Sequence, residues 1–313
     1  MIRIGISGWR YEGWRGGFYP EGLPQRRELA YAASRLPSIE INGSFYSLQR
    51  PEYYEAWYRE TPPGFVFSVK GNRYISHVRR LRDVETPLAN TFASGVFRLR
   101  EKLGPFLWQF PPNLRYDRER FEAFFRMLPR DTEQAAALAR RSSDWMKDRA
   151  DWSVDEHRPL RHAVEVRHES FVDPSFVELL HGHDIAWVIA DTAGKWPYKE
   201  DITADFVYIR LHGETELYAS GYDEASLERW AARIRAWASG GEPPDAVKIA
   251  PEASPERRDR DVYCYFDNDY KVRAPFDAQT LMRILGLSWN PESVEPTAPR
   301  RSRRGTEARA PSN

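Results

Sequence analysis

Eight short apolar runs recur along this chain, and stretches of helical periodicity separate most of them. The runs begin near Ile2, Ser38, Phe65, Phe106, His162, Ile185, Phe206 and Asp261. Several end in polar or charged residues. The clearest are Ile39-Glu40-Ile41-Asn42, Phe67-Ser68-Val69-Lys70, Ala163-Val164-Glu165-Val166-Arg167, Val188-Ile189-Ala190-Asp191 and Ile209-Arg210-Leu211-His212. Runs of this kind, bounded by Gly, Pro or polar clusters, read as buried strands. Strands covered on both faces belong to parallel sheets, and parallel strands need crossover connections. Helical stripes supply them: Phe121, Phe124, Phe125 and Leu128 share one face, as do Leu227, Trp230, Ile234 and Trp237. Pro51 and Pro174 suit first helical positions. Eight such units close more naturally than they spread into an open sheet. The expected fold is therefore α/β, a (β/α)8 TIM barrel whose site lies at the carboxyl ends of the strands.

Residues 1–290 read as a single barrel domain, although 313 residues could also make two domains. Residues 131–160, rich in Ala, Arg and Asp, read as an inserted helix and loop before the fifth strand. Residues 240–260 hold four prolines and read as a long loop, with Ala246 to Ala250 as a candidate extra strand. Residues 291–313 are rich in Pro, Glu, Arg and Ser, and read as a disordered basic tail.

The formal net charge is zero, so no global field draws in nucleic acid or a membrane surface. The start, Ile2-Arg3-Ile4-Gly5-Ile6, reads as a strand and not as a signal peptide. Cys264 is the single cysteine, which excludes an intramolecular disulfide and suggests a reducing compartment. No apolar run approaches the roughly 20 residues that span a bilayer. The expectation is a cytoplasmic protein with no membrane partner.

Side chains alternate across a strand, which sorts the polar residues. Glu40 and Asn42 share one face, Ser68 and Lys70 another, Glu165 and Arg167 a third, and Tyr208, Arg210 and His212 a fourth. Apolar residues occupy the opposite, helix-facing sides. The polar sets are thus expected inside the barrel, where unpaired burial would be expensive.

In order and number of motifs, the chain resembles the family called domain of unknown function 72. The matches are Gly5-Ile6-Ser7-Gly8-Trp9, Ile39 to Tyr46, Phe67 to Lys70, Gln109-Phe110-Pro111-Pro112, Glu165-Val166-Arg167-His168, Asp191, Tyr208 to Gly213 and Tyr265-Phe266-Asp267-Asn268. The resemblance spans about residues 1 to 288. It implies a TIM barrel and no established activity. Asp267 stands where the family commonly has Asn, which adds a carboxylate to the expected site.

The leading expectation is an enzyme using acid–base or hydrolytic chemistry on a small anionic substrate that is phosphorylated, carboxylated or sugar-containing. Glu40 and Glu165 are candidate acid or base, and His212 a proton shuttle. Asn42, Tyr46, Lys70, Gln109, Arg167, Asp191, Arg210, Asp267 and Asn268 are candidates for binding substrate, with Arg167 and Arg210 suited to bidentate grip of an anion. Asp191 beside Thr192 could instead cap a helix. Trp9, Tyr46, Trp196 and Tyr218 could form a stacking platform for sugars or bases. No cofactor is expected. A divalent metal held by Glu40, Glu165, Asp191, Asp267 and His212 is the weaker reading, because Lys70, Arg167 and Arg210 would repel it. Two further alternatives are a non-catalytic nucleic-acid-binding protein and a metal-dependent phosphoesterase acting on nucleic acid. Gly5-Ile6-Ser7-Gly8 lacks the dinucleotide fingerprint, and no Gly-x-Ser-x-Gly elbow occurs.

Overall fold

A computed structural model describes residues 1–250, 259–268 and 271–291 of the chain. Eight parallel strands close into a barrel in sequence order. They are β1 (Ile2–Ser7), β2 (Ser38–Ile41), β3 (Val66–Lys70), β4 (Leu103–Gln109), β5 (His162–Glu165), β6 (Ile185–Asp191), β7 (Phe206–Leu211) and β8 (Asp261–Phe266). Closure pairs β8 with β1, setting Ile4 opposite Cys264 and Gly5 opposite Tyr265.

The described helices are α1 (Glu28–Arg35), α2 (Gly43–Tyr46), α3 (Pro51–Glu60), α4 (Glu85–Phe92), α5 (Arg118–Met127), α6 (Thr132–Ala139), α7 (Pro174–Gly182), α8 (Glu224–Ala238) and α9 (Arg273–Leu285). Pro51 and Pro174 open α3 and α7, where a missing N–H costs nothing. Asp117, Asp131, Asp173 and Asp223 cap α5, α6, α7 and α8 by accepting a backbone N–H of the first turn. One crossover departs from the repeat: residues 192–205 join β6 to β7 without an α-helix. Thr203 ties this segment to β6, accepting from the Trp187 amide and donating to the Ile185 carbonyl.

Alternation along the strands divides the interior in two. The helix-facing layer holds Ile39, Phe67, Trp108, Trp187 and Ile209 together with helix residues such as Phe121, Phe124 and Trp237. Many of the aromatic side chains lie in this layer. A separate luminal cluster holds Val66, Leu107, Ala163, Val188, Phe206, Tyr208, Tyr263 and Tyr265. Two hydroxyl pairs top this floor, Tyr265 with Ser38 and Tyr208 with Ser68, at 2.8 and 2.6 Å. The charged residues lie above them, towards the carboxyl ends.

The insertion before β5 consists of α6, eight residues long and packed near α4, and a loop that leads to β5. One expectation changes. Ala246 to Ala250 form no strand, because the amides of Val247, Ile249 and Ala250 donate to the carboxylates of Glu200 and Asp201. Those groups are then unavailable to a sheet. The tail beyond residue 291 lies outside the described residues, and among the described residues no helix is long and apolar enough to cross a membrane.

Gly5 admits no side chain: a Cβ there would stand 2.2 Å from the Ser38 carbonyl oxygen, which belongs to the neighbouring strand. Gly5→Ala is expected to destabilise the barrel by about 1–3 kcal/mol, as overpacking does. Urea denaturation reads this as a lower midpoint with an unchanged slope; an unshifted midpoint would mean β1 and β2 can separate at no cost.

Candidate functional site

Arg210, on β7, projects into the lumen and is fully buried. Three carboxylates from other strands surround its guanidinium. Nε and Nη2 donate to the two oxygens of Glu40 on β2, at 3.1 and 2.9 Å. Nη1 donates to Glu165 Oε2 at the end of β5, at 2.6 Å, and Nη2 to Asp267 Oδ2 just after β8, at 2.8 Å. Nη2 also reaches Ser7 Oγ on β1, and Nη1 reaches His212 Nε2. All three guanidinium nitrogens are engaged, as a buried arginine requires.

The carboxylates are themselves held. Glu40 accepts from Ser7 Oγ at 2.6 Å and from Tyr208 Oη at 2.7 Å. Glu165 Oε1 accepts from Gln109 Nε2 and from Arg167 Nε, both at 2.8 Å. His212 Nδ1 stands 3.0 Å from Asp267 Oδ2, without the alignment of a hydrogen bond. Arg210 Nη1 lies 3.2 Å from His212 Nε2 on the other side of the ring.

Burial alone would raise the Glu165 carboxyl, but Arg210, Arg167 and His212 outweigh it and hold it well below the ordinary range. Asp267 is likewise lowered against its burial by Arg210 and His212. The same contacts hold Arg210 well above its ordinary value despite its own burial. Lys70 moves the other way. Burial, reinforced by Arg210, lowers it to about 8. Its Nζ lies 4.6 Å from the centre of the Phe45 ring.

The side chains of Glu40, Glu165 and Arg210 are buried, and they line none of three cavities of about 180, 310 and 590 Å³ found among the described residues. A ligand would therefore meet the partly exposed rim above the cluster. There Arg167 lies 3.8 Å over the Trp196 ring and donates to Tyr218 Oη. Tyr218, with a left-handed φ of 63°, sets its ring edge-on to His212. The side chain of Asp267 is 13% exposed, and Asn42 donates to Ser7 Oγ while its buried Oδ1 has no partner among the described residues. His77, on a π-helical turn after β3, packs edge-on to Phe45, and burial with Arg167 lowers it to about 4.

Glu40, Asn42, Gln109, Glu165, Arg167, Arg210, His212 and Asp267 thus meet at one end of the barrel in a single hydrogen-bonded cluster, with Lys70 beside it. Other expected residues stand apart. Tyr46 is 69% exposed on α2, with its ring against Phe45. Asn268 follows Asp267 with opposite parity, so it turns beneath α9 and donates to Asp277 and the Ser220 carbonyl. Asp191 has the parity of Trp187 and Ile189, and it points out of the lumen to accept from Tyr222 Oη. Trp9 packs into the core against Trp57 and Phe67. Ser7 and Tyr208 are members that sequence reasoning missed. Tyr208 already shared the face of Arg210. Ser7 lay in a motif read for its family resemblance and for its failure to match a dinucleotide loop, and not for a role in the lumen.

The profile of the family described as Protein of unknown function DUF72 matches residues 3–303. The chain belongs to this family. Two DUF72 family proteins of known structure are similar to it. One, from Thermotoga maritima MSB8, is 25% identical with a TM-score of 0.67, covering 91% of this chain and 99% of that one. The other, from Enterococcus faecalis V583, is 19% identical with a TM-score of 0.63, covering 95% and 99%. In sequence, UPF0759 protein YunF of Bacillus subtilis (strain 168) is 31% identical over 117 residues, or 36% of this chain. The match spans 40% of that relative's length. DUF72 membership carries the barrel and names no substrate.

Two outcomes follow from the ion cluster of this DUF72 barrel. Arg210→Met leaves three carboxylates in the lumen without their cation, and is expected to cost about 3–5 kcal/mol in chemical denaturation. A loss below about 1 kcal/mol would place the cluster among marginal ion pairs. Glu165 and Asp267 titrate lower when folded than when unfolded, so their stabilisation is full above the ordinary carboxylate range. It is lost as pH falls through the folded values. The thermal midpoint is expected to be flat near neutrality and to drop below about pH 4; a midpoint that rises on acidification would contradict the assignment.

Proposed function

We propose that this protein is an enzyme that holds a small anionic substrate at the carboxyl-end rim of the barrel and performs acid–base chemistry on it. The observation that carries this reading is the distribution of charge. Arg210 is consumed by three carboxylates, while Arg167 and Lys70 stand at the rim beside groups of mixed polarity. Arg167 is braced by Glu165, by Tyr218 Oη and by the Trp196 face, which among the described residues leaves Nη1 for a phosphate or carboxylate oxygen.

The buried carboxylates take distinct parts. Glu40 has both oxygens filled and no exposure, so its part is to position Arg210 and Ser7. Glu165 and Asp267 are ionised at neutral pH, which suits an electrostatic partner, leaves each only a weak base and makes neither a proton donor. Glycoside hydrolysis asks for a carboxylic acid with a raised pKa, and neither group offers one. Asp267, being partly exposed and opposite His212, is the better placed of the two to take a proton from a bound molecule.

A thermal-shift screen of phosphorylated and carboxylated metabolites tests this. Hits are expected to stabilise the wild type, and Arg167→Met to weaken them about tenfold or more, the worth of a charge-assisted contact. Asp267→Asn is expected to slow turnover of any hit with little change in its binding. If Arg167→Met binds every hit as tightly as the wild type, the rim does not hold the anion.

A further inference from the structure

Two lysines of this barrel are buried, and they differ in a way that burial alone does not explain. Lys102 donates to the carbonyl oxygens of Tyr58 and Thr61, at 2.7 and 2.6 Å, and to Thr61 Oγ1. Its ammonium is satisfied, and it reads as a brace between α3 and β4. Lys70 is 8% exposed, and among the described residues its Nζ has no hydrogen-bond or ion-pair partner. It stands at the carboxyl end of β3 against the Phe45 ring. The charged groups acting on it are Arg210 of β7, Glu40 of β2, Asp267 after β8 and Glu165 of β5, with His77 close by. Lys70 Nζ is not among the fully sealed unpartnered atoms, so this largely buried ammonium keeps a path to solvent while no described protein acceptor holds it. Desolvation and a neighbouring cation are the two conditions that turn a lysine into a free amine nucleophile.

We propose that Lys70 forms an imine with the carbonyl carbon of a small anionic aldehyde or ketone whose negative group is held by Arg167. This rests on the anion-holding reading of the same rim. The Nζ lone pair forms the C–N bond as the carbonyl π pair moves to oxygen. The oxygen leaves as water, carrying both protons of the neutral amine, and C=N replaces C=O. The lowered pKa of Lys70, about 8, keeps an appreciable neutral fraction near neutral pH.

The test is reductive trapping on the full-length protein, with pyruvate as a minimal anionic carbonyl compound and sodium cyanoborohydride, followed by peptide mass spectrometry. Lys70 is expected to be alkylated about tenfold or more faster than the exposed Lys147, Lys195 and Lys271, as an activated amine should be. Lys70→Arg, which keeps the charge, should lose that adduct while its thermal midpoint shows it folded and its other lysines label as before. No adduct on Lys70, or labelling at the rate of the exposed lysines, would overturn the proposal. Because the wild-type adduct is mapped directly, a misfolded variant does not blur the result. Propanal, a neutral carbonyl compound, separates the two readings. A fast Lys70 adduct with propanal and no advantage for pyruvate leaves the nucleophile standing and removes the anion site. Stabilisation by pyruvate without an adduct does the reverse.

Discussion

The Arg210 guanidinium and its three carboxylates are the interaction on which the upper half of the barrel depends. A single buried arginine in a protein interior is intolerable without partners, and a single buried carboxylate equally so. Here the contacts run from β7 to β1, β2, β5 and the segment after β8, linking strands that are mostly not neighbours in the sheet. The backbone ladder joins strands edge to edge, and the ion cluster joins them across the lumen. Placed above a floor of Tyr208, Tyr265 and smaller apolar side chains, it sits where surrounding dielectric is low and each contact counts for more.

That arrangement shapes the chemistry open to the protein. Charges this well paired act as a rigid frame. Glu40 orients Arg210, Arg210 orients Glu165 and Asp267, and Glu165 orients Arg167. Preorganised groups of this kind cost little reorganisation when a ligand arrives. The frame also holds the Glu165 and Asp267 carboxyls below their ordinary range, so neither is a proton donor near neutral pH. The solved DUF72 relatives share the barrel architecture at 25% and 19% identity, a likeness of fold that leaves the chemistry to each chain's own rim.

The residues that were legible in sequence were those inside regular strands. Alternation forces Glu40, Lys70, Glu165 and Arg210 onto one side once the helix-facing side is known from Ile39, Val69, Val164 and Ile209, so the lumen could be read two residues at a time. Errors gathered where a strand ends. Asn268 and Asp267 are adjacent, yet one enters the cluster and the other supports α9. Asp191 looked like another strand-end carboxylate, but it follows Ile189 outward to Tyr222. Tyr46 and Trp9 went astray for a different reason: an aromatic ring in a loop has no periodicity to say whether it faces ligand, core or solvent.

The sequence by itself determined the fold class and the face on which polar residues gather, because apolar runs of strand length alternating with amphipathic helices leave few other ways to bury themselves. It also placed carboxylates and cations together on that face, with Asp191 counted among them although it turns outward to Tyr222. Only the tertiary structure decided who pairs with whom. Closure of the barrel brings β2, β5, β7 and β8 together across the lumen, so Arg210 became the hub and Lys70 was left beside it without an acceptor among the described residues. Partner choice across a barrel depends on distances between strands far apart in sequence, and no local pattern carries those distances.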